Sequence, residues 1–279
     1  MEVTSPKDHI SHSQIDMYKR CPRQYYYRYV EDRIIPPKWI MPVGKAGHKA
    51  MEFNNKNKMK TGIDSKKTDV VEVFAEEWKK EKENYEKIIY GEVKEKDIVS
   101  LMQKPINEYF IQGTFIDNIP TAVEKQFAIR FNTIDIDVVG YIDVIFDNKL
   151  INDYKFSQKS PAIQKIFSAE QLKMYAASYI IETNKNPKKV GFTYLISTKV
   201  PQIKIYEINY TSKFMSTFHE DLKEVLIAIS DSMKSGVFIR NSSSWMCNPN
   251  DCGYWDICKP GQKKLYYELT SKYGPKKKG

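Results

Sequence analysis

Between Val123 and Phe156 apolar side chains keep returning on every second residue, and this run constrains the fold more than any other feature of the chain. Val123, Phe127, Ile129 and Phe131 follow one alternation; Ile134, Ile136, Val138, Ile142, Val144 and Phe146 follow the next. A period of two belongs to strands, whose successive side chains point to opposite faces. Leu150 to Phe156 reads as a third strand, with Asp147-Asn148 as the turn before it. Three strands in close succession predict a sheet, and the helical patterns on both sides make the chain an α/β protein.

Those helical patterns start at Ser11-His12-Ser13-Gln14, which reads as a capping box opening a helix to about Arg20. Pro22 suits the first turn of a new helix, predicted over Pro22 to Val30 with Tyr25, Tyr26, Tyr27 and Tyr29 on it. Further helices are predicted over Gly44 to Lys58, Asp69 to Tyr90 and Ile98 to Phe110. After the strands, the pattern predicts one long helix over Pro161 to Thr183. Strands over Val190 to Ser197 and Ile203 to Asn209 come next, then a helix over Ser212 to Ser235 with Leu222, Val225, Leu226 and Ile229 on one stripe. The remainder reads as a cysteine-bearing, loop-like segment ending in a basic tail, Lys276-Lys277-Lys278. The expected organisation is a single domain over 1–279: a mainly helical region at 1–115, an α/β core at 116–235 and a cysteine segment at 236–279.

Composition narrows the partners. The formal net charge is +9, which favours polyanions. Lys19, Arg20, Arg23, Arg28, Lys159, Lys165, Lys173, Lys199 and Lys204 are candidates for phosphate contacts that give affinity without sequence choice, and Ser157-Gln158-Lys159-Ser160 is well placed to touch a backbone. The 19 tyrosines offer flat faces to unstacked bases, although most rings in a folded chain are core. No run of 18 apolar residues exists and the N-terminus lacks a charged-then-apolar pattern, so neither a membrane span nor a secretory signal is expected, and the setting is expected to be cytoplasmic.

The chemistry concentrates on the strands. Asp143 lies between Ile142 and Val144 and faces away from both, while Asp153 and Lys155, two apart, share a face. If the second and third strands pair as a hairpin, Asp143 comes close to Asp153. Two carboxylates beside a lysine suit Mg²⁺ or Mn²⁺, which take hard oxygen ligands, position a water and neutralise a phosphate oxygen. Lys155 adds a compact positive charge for the attacking water or the developing charge on phosphorus. The bland alternative is a surface ion pair at the end of a strand.

Gly140-Tyr141-Ile142-Asp143 followed by Asp153-Tyr154-Lys155 resembles the PD-(D/E)XK nuclease superfamily. It is most similar to the RecB-like exonuclease branch, which includes the CRISPR-associated nucleases that carry an iron–sulfur cluster. Ser11 to Tyr27 resembles the N-terminal signature of that branch, Gly44-Lys45-Ala46-Gly47-His48 its Gly-x-x-x-His helix, and Gln171-Leu172-Lys173-Met174-Tyr175 its Gln-x-x-x-Tyr motif. The resemblance implies a restriction-endonuclease-like core, a central mixed sheet flanked by helices. It also implies a helical N-terminal region and a Cys-bearing C-terminal lobe. It implies His48, Asp143, Asp153 and the backbone carbonyl of Tyr154 as metal ligands and Lys155 as the catalytic lysine. Gln171 and Tyr175, four apart on a helix and so on one face, would line the same site. Glu124 sits where some members carry an acid, and ranks below these.

The chain has four cysteines, Cys21, Cys247, Cys252 and Cys258. In an intracellular protein such clustering points to metal rather than to disulfides. The thiolates suit a [4Fe–4S] cluster or tetrahedral zinc, and one cysteine upstream with three near the end is the arrangement the resemblance associates with an iron–sulfur cluster. Trp245, Tyr254 and Trp255 would shield it. The reading is therefore a metal-dependent exonuclease on single-stranded DNA or DNA ends, in recombination, repair, replication or CRISPR adaptation of a prokaryotic or viral system. Any helicase or recombination partner would be a separate chain, since no phosphate-binding Gly-x-x-x-x-Gly-Lys-Ser/Thr loop is present. The alternatives are a flap or branch endonuclease, an RNA nuclease, and a non-enzymatic DNA-binding or partner-docking subunit.

Overall fold

A computed structural model describes residues 5–131 and 134–273. The basic tail at Lys276 to Lys278 lies outside the described residues. The chain divides into two compact units. Of the described residues, one holds those through Ile35, those at 134–136 and those from Leu222 to 273; the other holds Pro36–Phe131 and Asp137–Asp221.

The second unit contains the predicted strands, the second of them from Asp137 on. They are β2 (Pro120–Phe131), β3 (Ile134–Phe146), β4 (Leu150–Ser157), β5 (Lys189–Ile196) and β6 (Gln202–Asn209). The first strand of the chain, β1 (His9–Ser11), belongs to the other unit. β2 pairs β3, β3 pairs β4 antiparallel, β4 pairs β5 parallel and β5 pairs β6 antiparallel, so the sheet is mixed. Lys149, at φ +61°, closes the β3–β4 turn after Asp147 and Asn148, and its N–H donates to the Phe146 carbonyl. Gly191 sits where a Cβ would lie 2.5 Å from the Tyr206 carbonyl oxygen, so β6 can approach β5 there only over a glycine.

Helices cover this sheet. α3 (Ile40–Thr61) buries Val43, Ala46, Ala50 and Met51, which recur at helical spacing and make one apolar stripe. Gly62, at φ +79°, ends it in the left-handed conformation glycine permits, its N–H on the Lys58 carbonyl. The stripe joins Phe74 and Trp78 of α4 (Lys67–Glu83), Met102 and Ile106 of α5 (Ile98–Ile111), and Val144, Phe146 and Phe156 of the strands in one core. Each such side chain stabilises the unit by about 1.5–3 kcal/mol relative to exposure.

Four expected element boundaries are corrected. The helix predicted over Asp69 to Tyr90 stops at Glu83, because Ile89 leaves it to exchange backbone hydrogen bonds with Pro37 and Trp39. The long helix over Pro161 to Thr183 is two, α6 (Ile163–Phe167) and α7 (Glu170–Thr183). Between them the Ser168 hydroxyl donates to the Gln164 carbonyl, and Ala169 is extended. The helix predicted from Ser212 begins only at Phe218, after turns over 212–217, and runs to Ser235 as α8. The cysteine segment, read as loop-like, contains α9 (Trp255–Cys258) and α10 (Lys263–Tyr273).

In the first unit, α1 (His12–Arg20) is capped by Ser11, whose side chain accepts the Gln14 N–H. The Gln14 side chain donates to the His9 carbonyl, where a full capping box would send it to the cap residue. α2 (Pro22–Tyr25) continues into a π-helical turn over Tyr26–Val30. Two of the tyrosines of this segment are core: Tyr25 is fully buried and Tyr27 nearly so, packed with Tyr18, Phe238 and Tyr254. Among the described residues no helix is long and apolar enough to cross a membrane.

Candidate active site

Four elements of the second unit carry the expected residues: α3 bears His48, β3 Asp143, β4 Asp153, Tyr154 and Lys155, and α7 Gln171 and Tyr175. In the β3–β4 hairpin, Val144 faces Asn152 and Ile145 faces Ile151. One step outward, the same antiparallel register aligns Asp143 with Asp153.

α3 reaches the strands because of a glycine. A Cβ on Gly47 would lie 2.3 Å from the Phe156 ring, far inside contact distance, whereas nothing lies within 4 Å of a Cβ on Gly44. The seat of the helix is therefore Gly47, not the Gly44 that the Gly-x-x-x-His spacing emphasises. His48, next in the chain, places Nδ1 3.0 Å from Asp143 Oδ2, and the same oxygen accepts the Tyr154 N–H at 2.8 Å.

Asp153 is 1% exposed and is held by neighbouring polar side chains, although its buried Oδ2 makes no hydrogen bond. Its Oδ1 accepts from Gln171 Nε2 at 2.8 Å and from the Tyr175 hydroxyl at 2.8 Å, and its Oδ2 lies 2.7 Å from Lys155 Nζ. Lys155 also donates to Gln171 Oε1 at 2.9 Å and lies over the Phe192 ring. The two helix residues named by the Gln-x-x-x-Tyr spacing thus both touch the buried strand acid.

Among the described residues, the group of three donors that converges closely enough for one metal ion is His48, Glu124 and Asp143, with ligand atoms within 4.8 Å of one another. Asp153 is not in that group, and Glu124, ranked lowest in the sequence, is. Glu124 lies in β2 at φ +48°, a left-handed conformation uncommon for a residue with a Cβ. No periodicity in the sequence announces that local reversal.

The electrostatics of the pocket fit a cation. Burial, with the charges of Asp143 and Glu52, pushes the Glu124 carboxyl up to about 7. Burial and the Asp143 charge also raise Asp153. Burial alone would lower His48, but the charge and hydrogen bond of Asp143, with the charge of Asp153, outweigh it and lift the imidazole to about 9. All three shifts report negative charge crowded into a partly desolvated space. An imidazole with two carboxylates is a donor set suited to Mn²⁺ or Mg²⁺.

The phosphate-contact candidates are dispersed. Arg20 pairs with Asp16 and Arg28 with Asp32. Lys173 lies over the Phe214 ring. Ser157 and Lys159 form a tight turn after β4, the hydroxyl donating to the Lys159 carbonyl and accepting its N–H.

The four cysteines all line one cavity of the first unit. Gln24 Nε2 donates to Cys252 Sγ at 3.3 Å, Arg240 Nε to Cys258 Sγ at 3.2 Å and the Asn241 N–H to Cys21 Sγ at 3.5 Å. Of the expected shielding aromatics, Tyr254 and Trp255 are buried and line the cavity, while Trp245 is 68% exposed and does not.

Fold and site together define an α/β protein whose mixed sheet holds a carboxylate–imidazole centre beside a lysine. Residues 9–259 match the model of the PD-(D/E)XK nuclease superfamily, and the chain belongs to that superfamily. A crystal structure of an Eubacterium rectale protein described as a candidate exonuclease is similar in fold, with a TM-score of 0.53 at 13% identity over 86% of this chain and 87% of that one. A second solved structure, SSO0001, aligns with a TM-score of 0.30 at 18% identity over 65% of this chain and 87% of the other, too low to carry an argument. No curated protein matches the sequence.

Proposed function

We propose that this protein is a divalent-metal-dependent deoxyribonuclease of the RecB-like branch, acting on single-stranded DNA or DNA ends. The observation that carries the reading is the convergence of His48, Glu124 and Asp143 beside the Asp153–Lys155–Gln171–Tyr175 network. His48, Glu124 and Asp143 would hold the metal, with Asp153 and the Tyr154 carbonyl completing its surroundings. When bound, the ion would supply a nucleophile at neutral pH and charge neutralisation at phosphorus. Lys155, half-buried and fixed by Asp153 and Gln171, presents a positive charge to a phosphate oxygen or to the attacking water. Tyr175 and Gln171 orient Asp153 by donating to it.

The cysteine cavity supports a structural cluster. The cysteines share a cavity, and their four thiolates would suit either a [4Fe–4S] cluster or tetrahedral zinc. The Gln24, Arg240 and Asn241 donors would offset the charge on its sulfurs.

The test is digestion of end-labelled single-stranded DNA by anaerobically purified protein with Mn²⁺, Mg²⁺ or chelator, beside Asp143→Ala. Metal-dependent cleavage lost in the variant is expected, and the label pattern gives polarity and separates an exonuclease from a flap endonuclease. DNA binding without cleavage in any metal would overturn the enzyme reading and leave a DNA-binding subunit. Preference for ribose oligonucleotides would redirect it to RNA.

A further inference from the structure

Behind the catalytic strand lies a buried polar cluster that the proposed chemistry does not use. Side chains alternate along β4, so Asp153 and Lys155 face the site while Tyr154 points to the opposite side of the sheet. There its hydroxyl lies 3.2 Å from Asn55 Nδ2 and 3.3 Å from the Tyr109 hydroxyl, and all three residues of the cluster are at most 2% exposed. The Tyr109 and Tyr154 rings meet edge to face with centroids 6.0 Å apart. Asn55 stands on α3, Tyr109 on α5 and Tyr154 on β4, so one cluster joins both covering helices to the strand.

The same residue works on the other side through its backbone: the Tyr154 N–H donates to Asp143 Oδ2 at 2.8 Å, the oxygen that faces His48 Nδ1. Asn55 follows His48 by seven residues, two turns along one face of α3. Two rigid connections therefore run from the cluster to the donor group, one along the helix to His48 and one through the Tyr154 peptide to Asp143. An apolar trio would fill this space without the need to satisfy buried polar atoms, whereas hydrogen-bonded partners fix one geometry.

We infer that Asn55, Tyr109 and the Tyr154 hydroxyl are positioning residues that set the spacing of His48 and Asp143 for the metal. The inference rests on the metal-dependent nuclease reading above and goes beyond it by naming what holds the donors in place. Loss of a residue that orients a metal ligand typically weakens metal affinity by about 10–100-fold.

The experiment is Mn²⁺ titration of the folded full chain, followed by the loss of the free-ion electron paramagnetic resonance signal, with circular dichroism melts run alongside. Tyr154→Phe and Asn55→Leu are each expected to weaken Mn²⁺ binding at least about tenfold while the protein remains folded. Tyr109→Phe, which removes only one hydroxyl, keeps a measurement available if Asn55→Leu does not fold, and is expected to weaken binding in the same direction. Ile106→Val, a one-methylene deletion in the core on the same helix as Tyr109 that removes no hydroxyl, controls for general loosening and is expected to bind Mn²⁺ like the wild type. Wild-type affinity in Tyr154→Phe, or an equal loss in Ile106→Val, would overturn the positioning role and leave the metal reading standing. A wild-type protein that binds no Mn²⁺ would overturn both.

Discussion

His48 Nδ1 lies 3.0 Å from Asp143 Oδ2, so a helix imidazole and a strand carboxylate are already in contact at the centre of the pocket. That pair is where a proton and a metal would compete. With the imidazole raised to about 9 and Glu124 to about 7, the metal-free site is partly protonated at neutral pH.

Mn²⁺ affinity is therefore expected to rise with pH between about 6 and 9, because binding must displace these protons. Calorimetry in buffers of different ionisation enthalpy would show proton release on binding, and a flat affinity across that range would contradict the assignment.

The same shifts predict how the metal-free fold responds to pH. His48 and Glu124 both have folded-state values above their ordinary ones of 6.5 and 4.5, so the native state binds more protons than the unfolded one between each pair of values. Stability then falls as pH rises, from about 4.5 to 7 for Glu124 and from 6.5 to about 9 for His48. Melts in chelator are expected to lose Tm across this span, and added Mn²⁺ to restore it at the alkaline end.

Gly47→Ala and Gly44→Ala are expected to differ in sign. The first drives a methyl into Phe156 and should destabilise by about 1–3 kcal/mol, displacing His48 and weakening metal binding. The second meets open space in a helix and should stabilise by about 0.5–1 kcal/mol. Thermal melts of the two variants decide it.

Lys155→Ala is expected to reduce the rate of DNA cleavage by about 10²–10³, with Mn²⁺ binding retained, since Lys155 contacts Asp153 and Gln171 and lies outside the His48–Glu124–Asp143 group. Single-turnover kinetics at saturating metal would separate this from a binding defect.

Cys252→Ser is expected to remove iron, acid-labile sulfide and the broad visible absorption from anaerobically purified protein, and to lower its Tm, because the energy of such a site is folding energy. Zinc without iron in the wild type would replace the cluster with a tetrahedral ion.

The hairpin of β3 and β4 was legible because strand period and turn chemistry act over a few residues: Asp147 and Asn148 set the turn, the alternation set the faces, and Asp143 came opposite Asp153 as a consequence. Gln171 and Tyr175 were legible in the same way, as neighbours on one helical face. Ser11 announced its helix because a cap acts within one turn. The break at Ser168 and the early end of α4 were not legible. In one case the backbone turns extended at Ala169, which no local signal announces, and in the other a distant strand-like pairing with Pro37 and Trp39 displaced the helix.

By itself, then, the sequence determined the strand phases and the helix faces, properties of short periods and local hydrogen bonds, while His48, Asp143, Asp153, Lys155, Gln171 and Tyr175 were named together through the resemblance of their motifs to a nuclease superfamily. Tertiary structure alone decided that Glu124 rather than Asp153 converges with His48 and Asp143, that Gly47 rather than Gly44 seats α3, and that Asn55 and Tyr109 grip Tyr154 from behind. Each of those depends on side chains meeting across elements far apart in the chain, where distance is set by packing and no local period encodes it.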